Sequence, residues 1–165
     1  MMLDGPKYGY QLKREAGWMT GPDPMHNNIV YPMLRRFLSK GWVSKKEVPG
    51  ERGQTRQQYA LTAAGRRSFF ERMNAFSEED ASSAEAFYLR VGVFAALKPE
   101  DRTAILDCRA QYLEQRDQKL GNLLSKMDVG KFGGEIIRHM RKQIRSERTW
   151  IRRLDRLAKS AVLSK

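Results

Sequence analysis

Apolar residues recur along this chain in distinct rhythms, and each rhythm predicts a different element. Val30, Leu34, Phe37 and Gly41 follow one another at steps of four, three and four, the spacing of one inward helical face. Asn28, Tyr31 and Arg35 fall on the other side of that helix. Residues 42–48 and 56–61 are rich in Val, Trp, Tyr and Gln and predict two strands, with Pro49, Gly50 and Gly53 supplying turn residues between them. Tyr59 and Leu61 alternate on one face of the second strand, predicted to point inward, and Thr62 stands where it can cap a following helix. Upstream, residues 8–15 predict a short helix closing at Gly17, and Gly21-Pro22-Asp23-Pro24 excludes regular structure from the next loop.

A polar, partly acidic stretch at residues 77–83 reads as a linker, dividing the chain into residues 1–76 and 84–165. Beyond it helical spacing returns. Ser83 can cap a helix reaching about Leu97, Pro99 suits the first turn of a second, and Gly133-Gly134 precede a third. In the last helix Ile137, Met140, Ile144, Glu147, Ile151, Leu154, Ala158 and Ala161 alternate steps of three and four, a heptad seam interrupted only by Glu147. Such a seam needs a partner. That partner is a second copy, making Ile137, Met140, Ile144, Ile151, Leu154 and Ala158 a dimer interface, or the preceding helix with Leu106, Leu113, Leu120, Leu124 and Met127; the two can hold together. The fold class is mainly α with a small β-hairpin.

Charge narrows the partner without choosing it. The 165 residues carry 31 Lys and Arg against 19 Asp and Glu, net +12, with 41% hydrophobic residues. That content can support a core, and that charge favours an anionic polymer or surface. The excess is spread over both parts: 13 basic against 9 acidic residues up to Asp80, and 18 against 10 from Ala81 on. Bulk charge therefore discriminates less than the order of elements. No run of eighteen apolar residues and no leader pattern is visible, so the reading is soluble and cytoplasmic with no membrane role, and the single Cys108 fits a reducing compartment.

Helix, strand, basic tip, strand and capped helix, in that order, predict a winged helix-turn-helix followed by a helical domain, and hence double-stranded DNA as partner. His26, Asn27 and Asn28 occupy the first turn of the recognition helix, where side chains reach base edges; Asn pairs bidentately with adenine and Arg with guanine, which includes Arg35. Tyr31 suits a phosphate. In the wing, Lys45, Lys46, Arg52 and Arg56 suit the backbone, and an arginine at the tip can enter a minor groove.

The wording of these elements is similar to that of the PadR family of transcriptional regulators: Tyr31, Pro32, Leu34, Gly41, Tyr59, Leu61, Thr62 and Gly65, with Gly5, Gly9 and Tyr10 upstream. Residues 87–97 and the Trp150-Ile151 helix resemble the C-terminal domain of its longer subfamily. The resemblance implies a dimeric, ligand-responsive repressor; an activator of the same architecture, or a helical interaction module with a degenerate winged domain, are the alternatives. Asn28 stands where the family commonly has Gly, and Leu38 where it commonly has an acidic residue. Only residues 1–4 precede the Gly5-Pro6 motif, so most of the family's first helix is expected to be missing. Family members that bind phenolic or other planar compounds do so between the two parts, where Phe87, Tyr88, Phe94, Tyr112 and Trp150 could line a cleft for a small aromatic effector or could simply be core.

Enzyme signatures are absent from the sequence. His26 and His139 are far apart, no HExxH, CxxC, GxGxxG or P-loop occurs, and Cys108 has no local histidine, so neither catalysis nor a metal or other cofactor is expected.

Overall fold

The computed structural model describes residues 2–20, 27–49 and 54–160. Two compact units divide between Glu71 and Arg72.

In the first unit a 3-10 turn at Met2–Asp4 leads to strand β1 (Lys7–Tyr8), helices α1 (Gly9–Thr20) and α2 (Asn27–Ser39), strands β2 (Val43–Pro49) and β3 (Thr55–Leu61), and helix α3 (Ala63–Asn74), whose last three residues cross into the second unit. The predicted hairpin is present, with Val43 opposite Leu61 and Pro49 opposite Thr55. The sheet has a third strand that the periodicity did not reveal: Lys7 and Tyr8 pair antiparallel with Tyr59 and Gln58, giving the order β1-β3-β2. Helix α1 continues past Gly17 to Thr20, beyond the predicted stop. Val30, Leu34, Val43, Tyr59 and Leu12 form the core, with Phe37 and Leu61 packed against it.

Gly41 is not part of that inward face. It lies after the helix with φ +66, its N–H donates to Leu38 O at 2.9 Å, and the N–H of Trp42 donates to Phe37 O at 2.9 Å. This is the left-handed cap that satisfies the last carbonyls of a helix, closed by the Phe37–Trp42 ring contact. Thr62 then ties the next helix to the same turn: its hydroxyl donates to Gly41 O at 2.6 Å and accepts from Gly65 N at 3.0 Å. Gly65 is required there, because a Cβ would stand 1.9 Å from Trp42 O.

In the second unit residues 77–83 are not a loop. Ser77 and Asp80 exchange side-chain and backbone hydrogen bonds as a capping box for α4 (Glu78–Ser82), and Ala81 is fully buried. Ser83 caps α5 (Ala84–Val91) as predicted, accepting from Ala86 N, but that helix stops six residues before Leu97 and a 3-10 turn fills Phe94–Ala96. Helix α6 (Pro99–Lys126) opens on Pro99, and α7 (Gly130–Ser160) begins before Gly133 and Gly134, which lie inside it.

Helices α6 and α7 form an antiparallel pair. Ile137, Ile144, Ile151 and Ala158 are each no more than 6% exposed, as are Ile105, Leu106 and Leu113 of α6. The heptad seam is thus consumed within one chain. Burying it against α6 takes those four side chains out of a dimer interface; only Met140 and Leu154 of the predicted set are half-buried.

Candidate nucleic-acid interface

Because α2 buries Val30 and Leu34, its opposite side must face solvent, and Tyr31 and Arg35 are both exposed there. Asn27 and Asn28 lie in its first turn; their side chains, together with His26 and the wing-tip residue Arg52, lie outside the described residues. Lys45 and Lys46 are exposed on β2 but, as successive strand residues, point to opposite sheet faces. Register separates them further. Lys46 stands opposite Gln58 and shares its face with Arg56, whereas Lys45 stands opposite the inward Tyr59.

What the sequence reading missed is a tyrosine-lined cleft of about 410 Å³ joining the recognition helix to the wing. Tyr8, Gly9 and Tyr10 form one wall, Tyr31 another, and Arg56, Gln57 and Tyr59 the sheet side. The Tyr8 and Tyr10 rings stack nearly parallel, centroids 5.8 Å apart, and Tyr10 is half exposed. Tyr8 N–H donates to the side-chain Oε1 of Gln11 at 2.9 Å, fixing the start of α1. Gly9 lets Tyr31 in, since a Cβ there would lie 3.1 Å from the Tyr31 ring and 3.2 Å from its hydroxyl. Gln57 donates to Glu47 at 2.8 Å while its side-chain oxygen is buried without a hydrogen-bond partner. Burial, and then the neighbouring Tyr31, push the Tyr59 phenol above its ordinary value, so it stays a neutral hydroxyl. Phenol hydroxyls and a guanidinium offer donors to phosphate oxygens. The available sequence signal was the Tyr-Gly-Tyr triplet, since a residue without Cβ at Gly9 leaves room for the close approach of the Tyr31 ring.

Of the five aromatics proposed as an effector cleft, Phe87, Tyr88 and Trp150 are brought into mutual ring contact. Phe87 is fully buried, in ring contact with Phe76, Tyr88 and Trp150, so it is core. Tyr88 meets the Trp150 ring at 5.7 Å with half its surface exposed, and Phe94 is half-buried in the 3-10 turn. Tyr112 instead lines a polar cleft of about 210 Å³ with Ser82, Arg109, Arg116, Gln143 and Glu147.

Glu147, the break in the seam, is explained by Arg109. That arginine, 3% exposed, donates from Nε and Nη2 to the two Glu147 oxygens at 2.9 and 3.0 Å and from Nη1 to Ala81 O. A polar residue in each seam, matched across the pair, was the signal for it. Arg141 similarly grips Asp117 with two bonds of 2.8 and 3.0 Å, which holds that carboxyl below its ordinary value. Cys108 is half-buried, and burial together with Glu78 and Asp80 raises its thiol. No cluster of metal-ligating side chains, and no helix long and apolar enough to cross a membrane, occurs among the described residues.

Residues 1–71 match the family described as transcriptional regulator PadR-like. No curated protein matches the sequence. Among solved structures, the chain is similar to a Thermoplasma acidophilum protein described as a transcriptional regulator, at 24% identity and TM-score 0.39 over 42% of this chain and 66% of that one. It is also similar to Bacillus subtilis PadR, solved in complex with operator DNA, at 12% identity and TM-score 0.44 over 95% of this chain and 94% of that one. The same protein in complex with p-coumaric acid aligns at 14% identity and TM-score 0.41 over 96% and 94%. Likeness at this level assigns no residue a role.

Proposed function

We propose that the chain, whose residues 1–71 match the PadR-like transcriptional regulator family, is a dimeric, ligand-responsive repressor whose α2 reads an operator while the wing holds the backbone. The observation that supports the DNA face is the cleft that Tyr10, Tyr31 and Arg56 line together, with Arg35 exposed one turn beyond Tyr31 on α2. In this reading Arg35 faces base edges in the major groove, and Tyr31, Tyr10 and Arg56 surround a phosphate at the groove's rim. No catalytic step is involved.

The dimer is expected to use apolar surface that the α6–α7 pairing leaves open near the connection between the two helices: Met127, Phe132 and Ile136 are each more than half exposed. Large apolar side chains gathered on one helix pair favour a second copy. An effector would sit beside Tyr112 and Arg116, where aromatic and cationic groups border open space.

The test is binding of the full chain to the DNA upstream of its own gene at fixed salt. Tyr31→Ala with Arg35→Ala should keep the parent's helical content, because neither side chain is in the core, and should lose roughly 1 to 3 kcal/mol per base-reading contact. Undiminished affinity in that variant would reject the assigned face.

A further inference from the structure

We propose that the outward face of α7 is a second, sequence-independent contact for the phosphate backbone of double-stranded DNA. The proposal rests on the DNA-binding reading above and adds a surface that the winged unit does not contain. Helix α7 carries ten Lys and Arg against three Asp and Glu. These charges are sorted by face. Arg138, Lys142, Arg145, Arg152, Arg156 and Lys159 follow steps of four, three, seven, four and three, a stripe that repeats with the buried seam but on the side away from it. The seven-residue step passes over Thr149, to which Arg152 donates at 3.1 Å.

Carboxylates are sorted as well. Asp117 is engaged by both bonds from Arg141, Glu114 pairs with Arg148, and Glu147 pairs with the buried Arg109. These acids sit on the flank that faces α6. Among the described residues, only the two ends of the outer stripe have an acid within ion-pair distance, Arg138 with Glu135 and Lys159 with Asp155. Lys142, Arg145, Arg152 and Arg156 are all exposed and have no acid within ion-pair distance among the described residues, although Arg145 lies near enough to Asp117 to help hold its carboxyl down. A helix that needed only solubility would gain from neutralising some of them with acids at i±4; instead Lys142, Arg152 and Arg156 stay unneutralised, and only Arg145 acts on an acid, Asp117, from beyond ion-pair distance.

The stripe is straight and long. From Arg138 to Lys159 the helical rise of about 1.5 Å per residue gives roughly 30 Å, close to one turn of duplex at about 34 Å. Duplex DNA presents one negative charge per roughly 1.7 Å of axis, so a rigid row of guanidinium and ammonium groups can meet several phosphates at once. A helix that binds an anionic lipid surface also sinks its apolar face into it, and the apolar face of α7 is already buried within the chain, which leaves the charged row for a polymer of phosphates.

The experiment uses the full chain with Lys142→Gln, Arg145→Gln, Arg152→Gln and Arg156→Gln together. Because these side chains are outside the α6–α7 seam, the variant should melt with the parent; the single replacements serve if it does not. Binding to a duplex of unrelated sequence is followed from 50 to 200 mM salt. Each lost phosphate contact should flatten the log affinity against log salt line by about 0.9, so four contacts reduce the parent's loss of affinity over that range by about a hundredfold. Preference for operator over unrelated DNA should be retained, whereas Tyr31→Ala with Arg35→Ala should abolish the preference and keep the slope contribution of α7. An unchanged slope overturns the proposal. So does an unchanged slope accompanied by lost binding to vesicles containing phosphatidylserine, which would make the stripe a membrane contact. If the parent shows no preference for its upstream DNA, the operator reading fails while the slope on unrelated duplex still decides the stripe.

Discussion

Removing Glu147 should unfold more of this protein than the loss of one hydrogen-bonded pair suggests. Arg109 is 3% exposed, and four groups surround its guanidinium: the Glu147 carboxylate, Ala81 O, and the Phe87 and Tyr112 rings at 5.5 Å each. Glu147→Ala leaves that cation buried with a single carbonyl acceptor. Breaking one side of a buried pair costs about 3 to 5 kcal/mol, and since the Glu147 side chain keeps 16% of its exposure beside an open cleft, the low end applies. For a unit the size of residues 72–165, about 3 kcal/mol corresponds to a melting point lower by roughly 12 to 24 °C. Arg109→Met with Glu147→Leu should recover to within about 1 kcal/mol of the parent, because apolar residues of similar volume continue both seams without a charge to desolvate. Thermal and urea unfolding followed by circular dichroism measure both variants. A Glu147→Ala protein within about 0.5 kcal/mol of the parent, or a double variant no better than the single one, would show that the pair is not the determinant argued here.

Gly65→Ala should destabilise the winged unit by at least about 3 kcal/mol, since its Cβ would meet backbone, Trp42 O at 1.9 Å, and not a side chain that can move; unfolding of that unit unchanged by the substitution would contradict the close approach. Asp117 has a folded pKa below its unfolded value of about 3.9, so its contribution to stability is complete above that value and is lost as pH falls through the folded one; Asp117→Asn should flatten the acid limb of a melting-temperature profile below about pH 5 and leave the profile above it unchanged in slope. Cys108, its thiol raised first by burial and then by Glu78 and Asp80, should be alkylated at pH 8 more slowly than a free small-molecule thiol. A rate equal to that of the free thiol would show the site to be open.

Elements whose cause lies within a few consecutive residues were legible in the sequence. The α2 face is written in Val30 and Leu34 at i and i+4, the hairpin in two alternating runs around turn residues, and the α5 and α6 starts in Ser83 and Pro99. Each of these depends on local dihedral preference and on which side of an element is apolar. The Ser77–Asp80 capping box is just as local, yet polarity made it read as a linker, because a chain of Ser, Glu and Asp does not say that the one Ala among them will be buried. Strand β1 has two residues and no periodicity of its own; it exists only because β3 offers Tyr59 and Gln58 to pair with. Gly41 was misread for the same reason, since a helix cap and a fourth inward position have identical spacing until the chain's next turn is known.

The heptad seam marks the division most clearly. Periodicity alone determined that α7 must bury Ile137, Ile144, Ile151 and Ala158, but a seam carries no label for the helix that will cover it. The short connection from Lys126 to Gly130 folds α6 back onto α7, and Arg109 and Glu147, 38 residues apart, meet only in that pairing. The tyrosine cleft likewise draws on β1, α1, α2 and β3 together. Helical and strand periods are properties of neighbours along the chain, whereas a buried ion pair and a shared cleft are properties of distant residues, and only the packing of whole elements decides which of those meet.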